Sequence, residues 1–328
     1  MRVCFWILSL IFSLLCFSCK PSSESSQEDS SMVVNTIPQD RLSGGASGMT
    51  QIDSTTFVGI YDIKSFADGP RVVVMKTIED QPLEIIPILI EDWNDPEGKP
   101  SDLESICRIG DEGNQFLMAE AGTWQGGYGR IFHLTIDTSD FSGKVLGIAK
   151  LPFKYDNDFD AVGDQYEGMA CIPLNEQSVI LLLAERGGSE HFPLGILRWG
   201  ILDLNSYSMT FSVEGMEGIT IDAPGHWLDP SKKRDITALH IDDQDRIWAS
   251  ASQDLGDSGP FYSVIYQLGH LTRNSPSPID VIEDLEIWRE ISGFKIEALS
   301  GPSALVPNSR LSFATEDESF GGNWRAIE

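Results

Sequence analysis

The chain has 328 residues, with 23 Lys and Arg against 50 Asp and Glu, a formal charge of −27 and a pI near 4.4. Such acidity excludes a nucleic-acid binder, whose phosphates need a basic face, and suits a soluble body that binds cations. Hydrophobic residues make up 41%, enough for a sizeable core, and the length is normal for one β-barrel or propeller.

At the N-terminus, Arg2 is followed by the apolar run "CFWILSLIFSLLCFS" (4–18), short for a membrane span. It ends in Ser18-Cys19, and "KPSSESSQEDSS" (20–31) then reads as a disordered polar tether. This resembles a bacterial lipoprotein signal over residues 1–19, which implies that Cys19 becomes the lipidated first residue of the mature chain. An ordinary secretory signal is the alternative. Both put the body, residues 32–328, outside the cytoplasm. The lipoprotein reading places it in the bacterial cell envelope, with the outer membrane as one address and the lipid as its only membrane attachment. Two of five cysteines, Cys107 and Cys171, fall in the body. A disulfide between them suits an oxidising compartment. Their apolar strand-like surroundings favour two buried thiols instead.

From residue 44 onward one plan recurs. The stretches 44–64, 102–122, 165–188, 235–254 and 295–322 each hold an oxygen-bearing residue, a short apolar strand, a polar turn, a second apolar strand and a polar or acidic end. The lead residues align as Ser47, Glu104, Glu167, Thr237 and Glu297, spaced 57, 63, 70 and 60 residues apart. Further β-like runs follow, 71–78 with 83–90, 129–137 with 144–153, and 194–204 with 207–213. Four short strands per repeat make a propeller blade. The last repeat has three strands, ending at 323–328, and "MVVNTIP" (32–38) supplies the missing one, which removes the open sheet edge. Only 279–291 can be read as a helix. The expected fold is all-β, a propeller of five four-stranded blades closed by an N-terminal strand, with six blades as the alternative count.

The first strand of each blade lines a propeller's channel, so the five lead residues converge on one axis. Three carboxylates crowded together repel, no Lys or Arg recurs beside them in the sequence, and a hard cation would relieve the conflict. Calcium, which takes six to eight oxygens, suits five arms better than octahedral magnesium does. The alternative is that the glutamates accept hydrogen bonds from strand amides and tie blades together. The order Ser, Glu, Glu, Thr, Glu over five blades resembles the calcium-activated nucleotidases (apyrases), which are five-bladed propellers with a central calcium. The phrases "DLESICRI", "QYEGMACIP", "KIEAL", "LLLAERGG" and "FATED" look like the esterase-like domain associated with the phytase family. The resemblance covers roughly residues 42–328. It implies calcium held by Ser47, Glu104, Glu167, Thr237 and Glu297.

Because the second strand runs antiparallel to the first, its end returns to the channel mouth. That predicts a second tier of Asp62, Glu120, Glu185, Asp254 and Glu316, with Trp124, Arg186 and Asp317 in adjoining turns. Lys232, Lys233, Arg234 and His191 lie in facing loops. Glu120, Glu185 and Arg186 are the expected catalytic groups, in a calcium-dependent hydrolase of phosphoric or other esters with a small anionic substrate. The alternative is a non-catalytic calcium-stabilised propeller that binds a ligand or a protein. "GASGM" is not a serine-hydrolase elbow, the five histidines lack zinc-ligand spacing, and no phosphate-cradling or dinucleotide motif occurs.

Overall fold

The protein is represented by a computed structural model describing residues 41–42, 45–63, 70–90, 102–110, 113–121, 129–150, 165–190, 192–272 and 277–328. It is a five-bladed β-propeller, lying within a unit that runs from Ile37 to Glu328. The signal, the tether, 32–38, Trp124 and His191 fall outside the described residues. Among the described residues no helix is long and apolar enough to cross a membrane.

Blade 1 is Gly48–Asp53, Thr56–Ile60, Val72–Lys76 and Glu84–Pro87. Blade 2 is Leu103–Arg108, Gln115–Glu120, Arg130–Asp137 and Ser142–Lys150. Blade 3 begins with Tyr166–Asn175, Ser178–Glu185 and Gly195–Asp203, and blade 4 with Lys233–Ile241, Arg246–Gln253 and Tyr262–Leu271. Blade 5 is Ile296–Ser300, Leu311–Thr315 and Gly322–Ile327, closed by Arg41–Leu42, which pairs antiparallel with Gly322 and Asn323. An N-terminal strand thus closes the ring, at 41–42.

The outer positions depart from four uniform strands. The run 83–90 divides at Ile88: Glu84–Pro87 ends blade 1, while Leu89–Ile90 crosses to pair in parallel with the outer strand of blade 2. The outer position of blade 3 is two short strands, Met209–Thr210 and Ile219–Ile221, separated by the helix Val213–Glu217. That helix starts where Ser212 Oγ accepts the Gly215 N–H, as an N-cap should. The stretch 279–291 is Ile279–Val281 and Ile287–Ser292, both on the edge of blade 4. Its apolar residues pack on a sheet there, which overrides their helix-compatible spacing.

Five apolar clusters fill the five gaps between blades. Period-2 alternation sends successive side chains of a strand to opposite neighbours. In blade 2, Phe116 and Met118 join the cluster shared with blade 1, while Leu117 and Ala119 join the one shared with blade 3. Thr56–Ile60 is buried throughout for the same reason, since both faces of its sheet are covered. The innermost strands pack against one another in turn, closing a ring around the axis.

The alternation breaks at the lead residues. Pairing in the first hairpin skips between Leu103 and Ser105, Tyr166 and Gly168, Arg234 and Ala238, and Ile296 and Ala298. Such a bulge inserts one residue, or two between Arg234 and Ala238, and re-aims a side chain. The flanking apolar residues, three apart, therefore face the same cluster: Leu103 with Ile106, Tyr166 with Met169, Ile236 with Leu239, and Ile296 with Leu299. Ala46 and Met49 flank Ser47 likewise. The residue after each lead is small (Gly48, Ser105, Gly168, Ala238, Ala298), because the wall is tight there. A Cβ on Gly168 would stand 2.9 Å from both Ala184 Cβ and Leu239 Cγ.

Cys107 and Cys171 form a disulfide between the innermost strands of blades 2 and 3. This corrects the buried-thiol expectation: adjacent first strands bring their Cα atoms to 5.9 Å, within bonding range.

Candidate functional site

The bulges turn Glu104, Glu167 and Glu297 into the channel, where with Ser47 they line an axial cavity of about 10 Å³. That is room for about one water-sized particle. Glu167 and Glu297 are buried, and Glu167 Oε2 is buried without a hydrogen-bond partner among the described residues. Glu104 keeps some accessible surface toward the channel. At its outer side stand Asp62 and Asp102, whose carboxylates lie with that of Glu104 within 4.8 Å of one another.

The two hydroxyl leads behave differently from the acids. Ser47 Oγ donates to Leu103 O at 2.5 Å, and Thr237 Oγ1 donates to Ile296 O at 2.7 Å. Each hydroxyl thus binds the carbonyl just before the next blade's glutamate and ties two blades together. Ser47 still lines the cavity, whereas Thr237 does not. Thr237 Oγ1 also bonds Ser250 Oγ at 3.0 Å, so its oxygen is turned into blade 4.

Cations accompany the acids, although no Lys or Arg recurs at a common repeat position beside them. Arg186 Nη1 is 2.8 Å from Glu167 Oε1. Arg234 Nη1 lies between Glu167 Oε1 at 3.4 Å and Glu297 Oε1 at 3.3 Å, and its Nη2 bonds Asp254. Lys295 Nζ reaches Glu297 Oε1 at 2.9 Å, Glu316 Oε2 at 3.2 Å and Glu318 Oε1 at 2.5 Å. These residues come from the mouth-side ends of strands in three blades, so no periodic basic signal marks them. In the run Lys232–Arg234 only Lys232 is exposed. Lys233 is buried against Asp222 and Asp235, and Arg234 enters the channel.

Charge divides the mouth into two halves. Burial pushes the Glu104 carboxyl well above the usual carboxylate range, and Asp62, Glu167, Glu297 and Glu316 push the same way. Burial also raises Glu297; Lys295 opposes the shift, while Glu316, which hydrogen-bonds to it, adds to it. Asp254 goes the other way: burial would raise it, but Arg234 and the Gly256 N–H together outweigh that and hold it low. Arg234 is held more firmly protonated than usual, since Glu167, Glu297, Asp254 and Glu104 outweigh its desolvation. Acids therefore dominate at blades 1 and 2, and paired cations at blades 3 to 5.

The second tier is partly where strand geometry puts it. Asp62, Asp254 and Glu316 stand at the mouth. Glu120 and Glu185 pair in register with Leu103 and Tyr166, so they share that face, but both are sealed one strand further out. Glu120 is fully buried, gripped by Arg130 at 2.8 and 2.6 Å with Arg71 at 3.9 Å. Glu185 is 1% exposed and ion-paired to Arg198. The expected placement of these two carboxylates at the channel mouth is corrected. In blades 2 and 3 the third strand carries an arginine, Arg130 or Arg198, that reaches the preceding strand's terminal glutamate. Arg186 does reach the mouth.

No protein-family model matches the chain, and no curated protein matches it in sequence. Among solved structures it is similar to a thermostable family-43 glycoside hydrolase at 9% identity and a TM-score of 0.50, over 88% of this chain and 90% of that one. It also matches the endo-1,5-alpha-L-arabinanase of Thermotoga petrophila RKU-1 in complex with TRIS, at 11% identity and TM-score 0.47, over 88% and 72% of the two chains. At these identities the likeness is one of fold: the chain shares the architecture of propeller enzymes.

Proposed function

We propose that the protein is a lipid-anchored extracytoplasmic propeller that binds one calcium ion at its channel mouth and hydrolyses phosphoric or other esters there. The observation that carries the metal reading is Glu167 Oε2, a buried carboxylate oxygen without a described partner, lining a one-particle cavity beside the crowded carboxyl of Glu104. An orphaned buried acceptor is costly, and a cation resolves it. The donors are all oxygen, as calcium requires. Glu104 and Glu167 would hold the ion with Asp62, Asp102 and Ser47. Glu297, engaged by Lys295, Arg234 and Glu316, would contribute mainly charge, and Thr237 drops out of the ligand set. The Cys107–Cys171 disulfide supports an oxidising, extracytoplasmic address, consistent with lipidation at Cys19.

When bound, the ion would supply positive charge to polarise an ester oxygen. Arg186, whose side chain is 23% exposed, stands where its positive charge faces an anionic substrate at the mouth, while Glu167 steadies it. Glu297, whose carboxyl is pushed up by burial and which shares a hydrogen bond with Glu316, can hold the proton a leaving group takes. The solved neighbour named first is a glycoside hydrolase, so this architecture does carry hydrolytic sites, though fold does not select the bond. The non-catalytic reading draws on one observation, the sealing of Glu120 and Glu185.

The test uses the purified chain, freed of metal with chelator. A ligand of the folded state adds about 2.7 kcal/mol at a hundredfold excess over its Kd. At about 0.6 kcal/mol per degree for a body of this size, calcium raises Tm by about 4 °C, and magnesium at equal concentration by much less. Glu104→Gln, which keeps size and removes one charge, weakens the calcium response and leaves the metal-free form no less stable. Aryl phosphates, nucleotides, inositol phosphates and carboxylic esters are then screened with calcium and with chelator. A flat calcium titration sinks the metal reading. Calcium-dependent stability without turnover of any substrate leaves the non-catalytic propeller.

A further inference from the structure

A second cavity of about 420 Å³ opens beside the channel, between blades 4 and 5. Its walls are loops of the mouth face: 258–261 leads into the third strand of blade 4, 293–294 precedes the first strand of blade 5, and 317–323 joins the second and third strands of blade 5. The volume is in the range of small-ligand sites, about 300–1,000 Å³.

The lining combines aromatic faces with a fixed polar rim. Phe261 and Phe320 meet edge to face with centroids 6.3 Å apart, and Arg325 stacks on Phe294 at 4.9 Å. Phe320 is 51% exposed, the one aromatic ring among the exposed large apolar side chains of the described residues. The polar rim is Ser258, Asp317 and Asn323. Asp317 is buried and accepts the Lys295 N–H at 2.8 Å, the Thr315 hydroxyl at 2.7 Å and the Asn323 amide at 3.0 Å. Those bonds orient the Asn323 amide. Its side-chain oxygen and second N–H are used by no hydrogen bond among the described residues. Gly293 (φ +86°) has open space where a side chain would stand, so the backbone leaves the cavity clear.

We propose that this cavity is a binding site for a neutral sugar ring. A pyranose is apolar on its C–H faces and polar around its hydroxyl rim, and the cavity offers the complement: phenyl rings for the face, and an oriented amide, a carboxylate and a hydroxyl for the rim. A purely aromatic guest would leave the rim groups desolvated and unpaired, which is costly. An anionic guest is disfavoured by the Asp317 carboxylate in the cavity wall, while Glu316 and Glu318 are already ion-paired to Lys295. The site contains none of the axial carboxylates, so it stands apart from the calcium reading. Lys295 joins the two regions, its N–H on Asp317 and its ammonium on Glu297.

The experiment uses the full chain in chelator, so that its outcome is independent of calcium. Methyl glucoside, galactoside, mannoside and N-acetylglucosaminide are titrated by calorimetry and by saturation-transfer NMR. At least one glycoside binds, with transfer strongest to the C–H protons of one ring face. Phe320→Ala and Asn323→Ala each weaken it by about tenfold or more, while Leu228→Ala, an exposed apolar change elsewhere, has no effect. Both variants must keep the wild-type Tm; if one does not, Ser258→Ala takes its place. Failure of all four glycosides to bind overturns the proposal. So does binding of 4-methylphenol that Phe320→Ala abolishes and Asn323→Ala leaves unchanged, which would mark an aryl pocket.

Discussion

Replacing both Cys107 and Cys171 by alanine tests how the channel is held together. The bridge spans 64 residues, and chain-entropy estimates of about 3 kcal/mol for a 15-residue loop and about 4.7 for a 100-residue loop place its contribution at about 4 kcal/mol. Unfolding entropy of about 2.1 cal/mol/K per residue over about 290 residues gives about 0.6 kcal/mol per degree, so Tm falls by about 7 °C. The effect reaches the site as well. Cys107 is three residues from Glu104 and Cys171 four from Glu167, on the same two strands, so the bridge holds these carboxylates in register. Scanning calorimetry on oxidised wild type, reduced wild type and the double variant gives the stability, and a calcium titration of each gives the second readout. Reduced wild type and the double variant should melt close together, both well below the oxidised protein, and both should bind calcium more weakly. If the oxidised protein, verified free of reactive thiols in the body, melts within a degree of the double variant, the bridge is not a structural clamp.

Two further perturbations separate structural from chemical roles. Glu120→Gln and Glu185→Gln each strip the counter-charge from a buried arginine, so each should cost about 3–5 kcal/mol, read from the urea midpoint; unchanged midpoints would show that neither pair supports the blades. Burial depresses the His240 imidazole to about 4, with Asp242 opposing the shift, so the unfolded chain takes up a proton that the folded chain refuses between about pH 6.5 and 4. The associated stability is present above that window and lost as pH falls through it. At about 1.4 kcal/mol per pH unit, reduced by water reaching the half-buried ring, the loss is about 2 kcal/mol, absent in His240→Gln. Parallel pH–stability curves for the two proteins would refute it.

The sequence by itself determined the architecture. Five echoes of one hairpin plan, too short in strand for a solenoid of helices, leave a ring of small sheets, and alternating apolar residues serve two neighbouring blades at once. It also marked four of the residues that line the axial cavity, Ser47, Glu104, Glu167 and Glu297, because each is flanked by apolar residues three apart with a small residue after it. Ala46-Ser47-Gly48-Met49 and Tyr166-Glu167-Gly168-Met169 carry that signature in plain view. What those side chains meet across the channel was decided only by the tertiary structure. Arg186, Arg234 and Lys295 lie far apart in the chain and belong to no common repeat position, yet ring closure brings them onto Glu167 and Glu297. Glu120 and Glu185 looked like Asp62 and Glu316, acids at strand ends. The difference is an arginine on the adjoining strand, Arg130 or Arg198, which turns a mouth residue into a buried pair. The disulfide followed the same logic: two cysteines in apolar runs read as packing until blades 2 and 3 stand side by side. Periodicity is local and survives in one dimension; partner choice depends on which strands the closed ring sets against each other.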